Sequence, residues 1–417
     1  MKLKKTVKKE GILAIVMAGG KGERLYPLTL ERSKPSVPFG GRYRIIDLVL
    51  SNLVNSGIYS IYVLVQYKSQ SLIEHIRTGW RRQGVSPRHF ITVVPPQMRR
   101  DELPDWYRGT ADSVYQNINL ILDFSPKAVA IFGGDHIYRM NIKEMVNFHF
   151  RAKADVTIAC VPFPTPQAQN FGILETNGAG EVVSFQEKPN SEKLKAVENE
   201  YSLVSMGNYI FDTDILIDNL LEDSSLSSSR HDFGRDIIPR LIKKARVFAY
   251  DFSHNRIPGL KDYEEKAYWR DVGNIKSFFD ANMDLLGERP RIDLSNQYWP
   301  IYASSLELPP AKINKSEVVN SLISEGVIIS RAQIRNSILG RGVIVEKGCL
   351  IEDSIVMDFT QIRSNTRVKK TIIDRFNIIE PNSYIGYNTV EDGKRYFVDK
   401  EAGIVVVKRG PRRLFHY

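Results

Sequence analysis

The chain has 417 residues, of which 42% are apolar and 25% charged, and a formal net charge of +10. That length exceeds one ordinary core and points to two domains, and the composition is that of a globular protein. No run reaches the ~18 apolar residues of a membrane span, and two distant cysteines make neither a disulfide framework nor a metal cluster.

Residues 1–10 carry five lysines and one glutamate, which reads as a solvated basic tail. The lysines precede a short apolar stretch in the manner of a signal peptide, but cleavage there would destroy the glycine turn that follows. A cytoplasmic protein with reduced Cys160 and Cys349 is expected. The run Ile12-Leu-Ala-Ile-Val-Met17 is continuous and partly β-branched, as in a buried strand. It leads into Ala18-Gly-Gly-Lys-Gly-Glu-Arg-Leu25, where Gly19, Gly20 and Gly22 permit a tight turn and close approach of a ligand. Arg24 and Lys34 follow within reach. Exposed backbone N–H groups with cations beside them form a phosphate site, read here as a cradle for a triphosphate. The string is not a Walker A loop, and Leu25 occupies the last glycine position of a G-x-G-x-x-G turn. A glycine-rich turn without a ligand remains the alternative.

Strand-like runs at 61–66, 90–94, 128–132 and 156–161 alternate with helical patterns at 46–55, 110–124 and 142–151. That alternation predicts βαβ units and an α/β domain over 11–287 with a mainly parallel sheet, whose ligands gather at the carboxyl ends of the strands. Gly133-Gly-Asp-His136 stands at such an edge. Asp135 there either holds a divalent cation over phosphates or forms an Asx turn. Asp271, in Tyr268-Trp-Arg-Asp-Val-Gly273, is either a second metal carboxylate or the partner of Arg270. Lys188, in Glu187-Lys-Pro189, is a point charge suited to a phosphomonoester, with Glu187 able to accept from sugar hydroxyls, or else a solvated turn. Tyr107-Arg-Gly-Thr110 opens a helix that Thr110 caps, and Tyr107 offers a stacking ring.

Residues 288–317 hold Pro290, Pro300, Pro309 and Pro310 with little periodicity, and read as a linker. Over 318–417 apolar residues recur every six: Leu322, Ile328 and Ile334; Ile338, Ile344, Leu350, Val356, Ile362 and Val368; Ile372, Ile378 and Tyr384. That period predicts a parallel β-helix with one inward aliphatic per short strand, a rigid prism suited to oligomerisation. The basic excess fits nucleic acid or a positive cleft for small anions. No RNP1 string, zinc-finger spacing or basic heptad region is present, so nucleic acid is not an expected partner. No Ser-His-Asp or Cys-His arrangement suggests a protein nucleophile.

Taken together, Gly19-Gly-Lys-Gly-Glu-Arg-Leu-Tyr-Pro-Leu-Thr29, Arg32-Ser-Lys-Pro-Ser-Val-Pro-Phe-Gly-Gly41, Arg44-Ile-Ile-Asp47, Trp106-Tyr-Arg-Gly-Thr-Ala-Asp112, Gly134-Asp-His-Ile-Tyr138, Phe171-Gly172, Glu187-Lys-Pro189, Ser205-Met-Gly207, His231-Asp-Phe-Gly234 and Tyr268-Trp-Arg-Asp-Val-Gly273 follow one another in the order of the glucose-1-phosphate adenylyltransferase family. The sequence resembles that family densely over 12–286 and more loosely beyond. The resemblance implies a Rossmann-like nucleotidyltransferase domain and a left-handed β-helix. It implies formation of ADP-glucose and pyrophosphate from ATP and glucose 1-phosphate with Mg²⁺, for glycogen synthesis, in a homotetramer controlled by small-molecule effectors. By position, Arg24 and Lys34 would hold the triphosphate, with Gly19 and Gly20 lining it. Asp135 and Asp271 would bind metal, and Lys188 the sugar phosphate. Tyr107, Gly172, Glu187 and Ser205 would contact the glucosyl part, and Gly109 and Thr110 would lie near adenine. Glu23 departs from the Thr or Ser of most members, and Glu31 from an activator-binding lysine of some. Gln97 and Arg99 match a loop that links effector and active sites. A non-catalytic paralogue, or an enzyme for another nucleotide or sugar, are the competing readings.

Overall fold

The computed structural model describes residues 11–80, 88–96, 106–190, 200–303 and 306–412. The basic tail, Gln97 and Arg99 lie outside the described residues. The strand Ile12–Met17 sits in the middle of a nine-stranded sheet. It pairs in parallel with Ser60–Leu64 on one side and Ala128–Gly133 on the other, and Phe90–Val94 continues the parallel set past Ser60–Leu64. Beyond Ala128–Gly133 the long strand Tyr201–Asp212 runs antiparallel, and both Val156–Pro164 and Gly172–Thr176 pair antiparallel with it. Val247–Asp251 lies parallel to Val156–Pro164, and Val182–Glu187 antiparallel to Gly172–Thr176. Only Tyr201–Asp212 and Val182–Glu187 oppose the rest, so the sheet is mainly parallel. Ala14 and Val16 pack on Ile46, Val49 and Leu53 of the helix Ile45–Asn55, while Leu13 and Ile15 face Ala111, Val114 and Leu216. Covered faces of this kind explain why the strand reads as a continuous apolar run.

The helix expected over 110–124 is instead two, Thr110–Tyr115 and Ile118–Phe124. Asn117 lies between them, and its Nδ2 donates to the Ser113 carbonyl at 2.9 Å and to the Tyr107 hydroxyl at 3.0 Å. A side chain that bonds its own backbone competes with the helix ladder.

The C-terminal region is a parallel β-helix of three narrow sheets, consistent with the left-handed hexapeptide form. Its ladder starts with Lys312–Asn314 paired to Ile328–Ser330, inside the stretch expected to be a linker. Ile328 pairs with Ile344 and Ile344 with Gln361, so a coil takes 16 or 17 residues and not three full hexads. The strict six-residue frame therefore slips. Ile329, Ile334, Leu339, Val345, Ile351 and Val356 fill the prism, whereas Ile328 is 41% exposed and Tyr384 62%. Corners turn through left-handed residues such as Asn320, Asn336 and Gly342. A Cβ on Gly342 would meet the Phe359 ring at 2.7 Å, and that ring stacks on Phe376.

Ile338 and Ile372 fit the hexad pattern but, with Ile355 between them, face outward. They are buried against Leu25, Val37, Phe39 and Phe278 of the first domain. Upstream, the connection 288–303 is tied to helix Ile45–Asn55. The Pro300 carbonyl accepts from Asn55 Nδ2 at 2.9 Å, and Tyr302 N donates to Ser51 Oγ at 2.9 Å. At the seam Arg32 pairs with Asp374, both almost wholly buried. Among the described residues no helix is long and apolar enough to cross a membrane. Removing one partner of a buried pair leaves an uncompensated charge. Asp374→Ala should therefore cost about 3–5 kcal/mol by urea denaturation, whereas an exposed pair such as Lys394 with Glu391 should cost under about 1 kcal/mol.

Candidate active site

At the carboxyl edge of the parallel strands lies a cleft of about 920 Å³. Every residue assigned to a substrate or metal from the sequence lines it: Gly19, Gly20, Arg24, Lys34, Tyr107, Gly109, Thr110, Asp135, Gly172, Glu187, Lys188, Ser205 and Asp271. On one wall the glycine turn follows Ile12–Met17. Gly22 is left-handed (φ 64°), and a Cβ there would lie 2.9 Å from Lys34 Cβ. Thr29 Oγ1 donates to the Gly22 carbonyl at 2.9 Å, and Lys68 Nζ donates to the carbonyls of Thr29 and Leu30. The loop is closed by its own hydrogen bonds. The Arg24 guanidinium lies over Gly273, where a Cβ would be 3.1 Å from its Nη2.

Lys34 occupies a short 3₁₀ turn, Lys34–Ser36, and is 6% exposed. Its Nζ donates at 2.9 Å to Asp135 Oδ2 and at 2.9 Å to Asp271 Oδ1. The two-stranded antiparallel ladder that sets Asp271 opposite His136 brings the second carboxylate there. Burial opposes the lysine's charge, but the two carboxylates outweigh it and raise its pKa. Burial likewise works against Asp135, and Lys34 and His136 outweigh it, holding that carboxyl well below the usual range. Ligand atoms of Asp135, His136 and Asp271 lie within 4.8 Å of one another. Two carboxylate oxygens already converging on one cationic atom fit a hard divalent ion.

The opposite wall comes from the antiparallel strands. A register shift in Tyr201–Asp212 between Ser205 and Tyr209 breaks the pairing with Val156–Pro164, and the strand bulges there with Gly207 at φ 69°. Ser205 Oγ accepts from Gly207 N at 3.2 Å. Glu187 ends its strand beside Lys188, which is left-handed (φ 46°) with Nζ 3.5 Å from Glu187 Oε1. Burial, aided by Asp232, pushes the Glu187 carboxyl up against the pull of Lys188. A Cβ on Gly172 would lie 2.8 Å from Glu187 Oε2, and one on Gly234 2.6 Å from it. The glycines are thus needed to admit this carboxylate. The cleft sets a cation-binding wall opposite the half-exposed ammonium of Lys188, an arrangement able to align two anions.

Residues 13–288 match the family model for nucleotidyl transferases, and 309–407 the one for GlmU-like C-terminal hexapeptide regions. A glucose-1-phosphate adenylyltransferase of Thermodesulfovibrio yellowstonii is 50% identical over 402 residues, covering 96% of this chain and 97% of that one. Enzymes of that name from Thermus thermophilus (46% identical; 96% and 99% covered) and Anaeromyxobacter (43%; 96% and 98%) are similar over the same span. The chain belongs to the glucose-1-phosphate adenylyltransferase family.

Sequence reasoning gave no role to several lining residues of this adenylyltransferase cleft: Gln66, His136, Tyr209, Asp232, Phe233, Trp269 and Gly273. Most stand inside the very strings that carry the family resemblance, so motif membership was the available signal. Glu23 lies 3.9 Å from Lys21, both largely solvent-exposed, which supplies the offsetting charge its position calls for. Glu31 pairs at 2.7 Å with Arg409.

A carboxyl depressed in the folded state contributes stability that is present above its unfolded value of 3.8 and is lost as pH falls through the folded value. Asp135→Asn should remove that contribution. Its melting temperature should then decline less steeply than wild type below pH 4, measured by calorimetric pH titration.

Proposed function

We propose that the chain transfers the adenylyl group of ATP to glucose 1-phosphate, giving ADP-glucose and pyrophosphate for glycogen synthesis. The observation that carries this reading is the convergence of Lys34, Asp135 and Asp271 at one edge of a cleft whose other edge presents Lys188. The sugar phosphate is anionic at neutral pH, so its oxygen attacks the α-phosphorus without a general base. Pyrophosphate leaves in line. Lys188 holds the sugar phosphate, and Glu187 accepts from sugar hydroxyls. Arg24 and Lys34 neutralise the triphosphate, supported by the backbone of Gly19 and Gly20. Gly109 and Thr110 lie near adenine, with Tyr107, Gly172 and Ser205 on the glucosyl side. Asp135 and Asp271 would hold Mg²⁺, which supplies charge neutralisation at the phosphates. Once their carboxylates turn to that ion, the Lys34 ammonium is available to phosphate oxygens.

Pyrophosphate release with Mg²⁺, glucose 1-phosphate and each nucleoside triphosphate in turn tests this. Release with ATP and not with UTP supports it, and silence with retained binding supports a non-catalytic paralogue. Lys188→Ala should raise the KM for glucose 1-phosphate at least tenfold; an unchanged KM would remove its assigned role. Arg24→Ala should lower kcat on the order of 10²–10³-fold.

An anionic effector is the regulatory reading that the seam favours. Arg32, Arg44, Arg341, Arg375 and Arg409 crowd against Asp358, Asp374 and Glu31. Desolvation and the like charges of Arg375 and Arg32 pull Arg44 down to about 9; burial and its neighbours bring Arg375 to about 10. Among the described residues the buried Nε atoms of Arg32 and Arg409 have no hydrogen-bond acceptor, and that of Arg375 has only Asp358 Oδ2 at 3.5 Å. A site so short of negative charge suits a phosphorylated metabolite. Arg375→Ala should weaken activation or inhibition by such metabolites at least fivefold, read as a shifted half-maximal concentration in the pyrophosphate assay. We further read the enzyme as cytoplasmic, given its buried free thiols, and as a homotetramer.

A further inference from the structure

His231 is 4% exposed and adopts the left-handed conformation (φ 56°), which histidine tolerates better than most residues. Both its ring and its backbone are fixed. Nδ1 lies 2.8 Å from Asp223 Oδ2, and the backbone N–H donates to Ser229 Oγ at 3.0 Å. Asp223 is itself held by Ser229 Oγ at 2.7 Å and by Arg240. Held this way, the His231 carbonyl accepts from the backbone N–H groups of Ala111 (2.8 Å) and Asp112 (3.2 Å) at the start of helix Thr110–Tyr115. A Cβ on Gly109 would collide with that same carbonyl, so the glycine next to the nucleotide wall is required by His231. A second junction lies beside it. Thr110 Oγ1 donates to Asp232 Oδ2 at 2.9 Å and accepts from Phe233 N at 3.0 Å. Gly234, three residues past His231, packs on the Glu187 carboxylate next to Lys188. Contacts thus run unbroken from Tyr107–Thr110 through His231 to Glu187–Lys188.

We propose that His231 is a positioning residue that locks the nucleotide wall of the cleft to its sugar-phosphate wall, so that each substrate strengthens binding of the other. The proposal rests on the adenylyltransferase reading of the cleft. The bonds through His231 hold both walls in one arrangement, so a ligand that favours that arrangement at one wall favours it at the other, which is positive coupling.

The test uses the full chain with Mg²⁺, the unreactive analogue α,β-methylene-ATP, and glucose 1-phosphate in titration calorimetry. The readout is the ratio of the Kd for glucose 1-phosphate without and with saturating analogue. In wild type the ratio should be on the order of ten or more. His231→Gly keeps the left-handed backbone accessible and removes the ring anchor. It should lower the ratio at least fivefold while the Kd of each ligand alone moves by less than about threefold. Asp223→Ala should act in the same direction. A ratio within twofold of wild type in both variants, whatever their melting temperatures, overturns the proposal, as does wild type with no coupling. Should neither variant fold, Ser229→Ala removes the hydroxyl that holds both the His231 backbone N–H and Asp223, and decides by the same ratio. If neither ligand binds wild type, the adenylyltransferase reading itself fails and takes the proposal with it.

Discussion

One buried ammonium group organises the cleft. Lys34 Nζ reaches Asp135, 101 residues away, and Asp271, 237 residues away, at the same distance of 2.9 Å. The three residues come from the glycine-turn segment, the edge after Ala128–Gly133, and the short strand Trp269–Asp271. A lysine this buried keeps its charge only because two carboxylates face it. Two carboxylates this close avoid mutual repulsion only because a cation stands between them. Neither half is stable as drawn without the other, so the local fold and the demand for a cation are one constraint.

Around that constraint the sheet supplies placement at the level of individual residues. The parallel strands deliver the glycine turn and Asp135 to a common edge, where the chain leaves the sheet. The antiparallel strands contribute the opposite wall through irregularity. A bulge in Tyr201–Asp212 turns Ser205 into the cleft, and the end of Val182–Glu187 projects Glu187 and Lys188. A sheet that was parallel throughout would have placed its ligand groups along one line. The reversed strands let cationic groups face each other across a gap wide enough for two anions.

How much of this the sequence disclosed depended on the range of the interaction. Elements set by local periodicity were legible: Phe90–Val94 and Ile142–Arg151 lie where the apolar spacing put them. The break at Asn117 was not, because its side-chain bonds to the Ser113 carbonyl and the Tyr107 hydroxyl are absent from any propensity. In the prism the repeat was visible while its frame slipped. Coils of 16 or 17 residues shift the inward position, and Ile338, Ile355 and Ile372 are apolar for a different reason, contact with the first domain. Candidate site residues were legible because each sat in a short string whose residue types have few uses together. Phe233 and Trp269 sat in such strings as well, yet nothing in residue type alone separates a lining aromatic from a core one. The Arg32–Asp374 pair, 342 residues apart in sequence, left no trace in it.

Arg32 and Lys34 also show how the seam and the cleft are joined. They are separated by Ser33 alone and point in opposite directions, Arg32 into the prism against Asp374 and Lys34 into the cleft against Asp135 and Asp271. The turn between them is stiff. Ser36 N bonds the Ser33 carbonyl at 3.0 Å, Val37 N bonds that of Lys34 at 3.0 Å, and Pro35 fixes its own φ. Two buried charged anchors on one rigid turn leave little room for either to move alone, since each would then lose a partner in a medium that penalises bare charge. The seam gathers guanidinium groups beyond its carboxylates, whereas the cleft gathers carboxylates around a cation. That contiguity joins the prism to the cleft across the width of one turn.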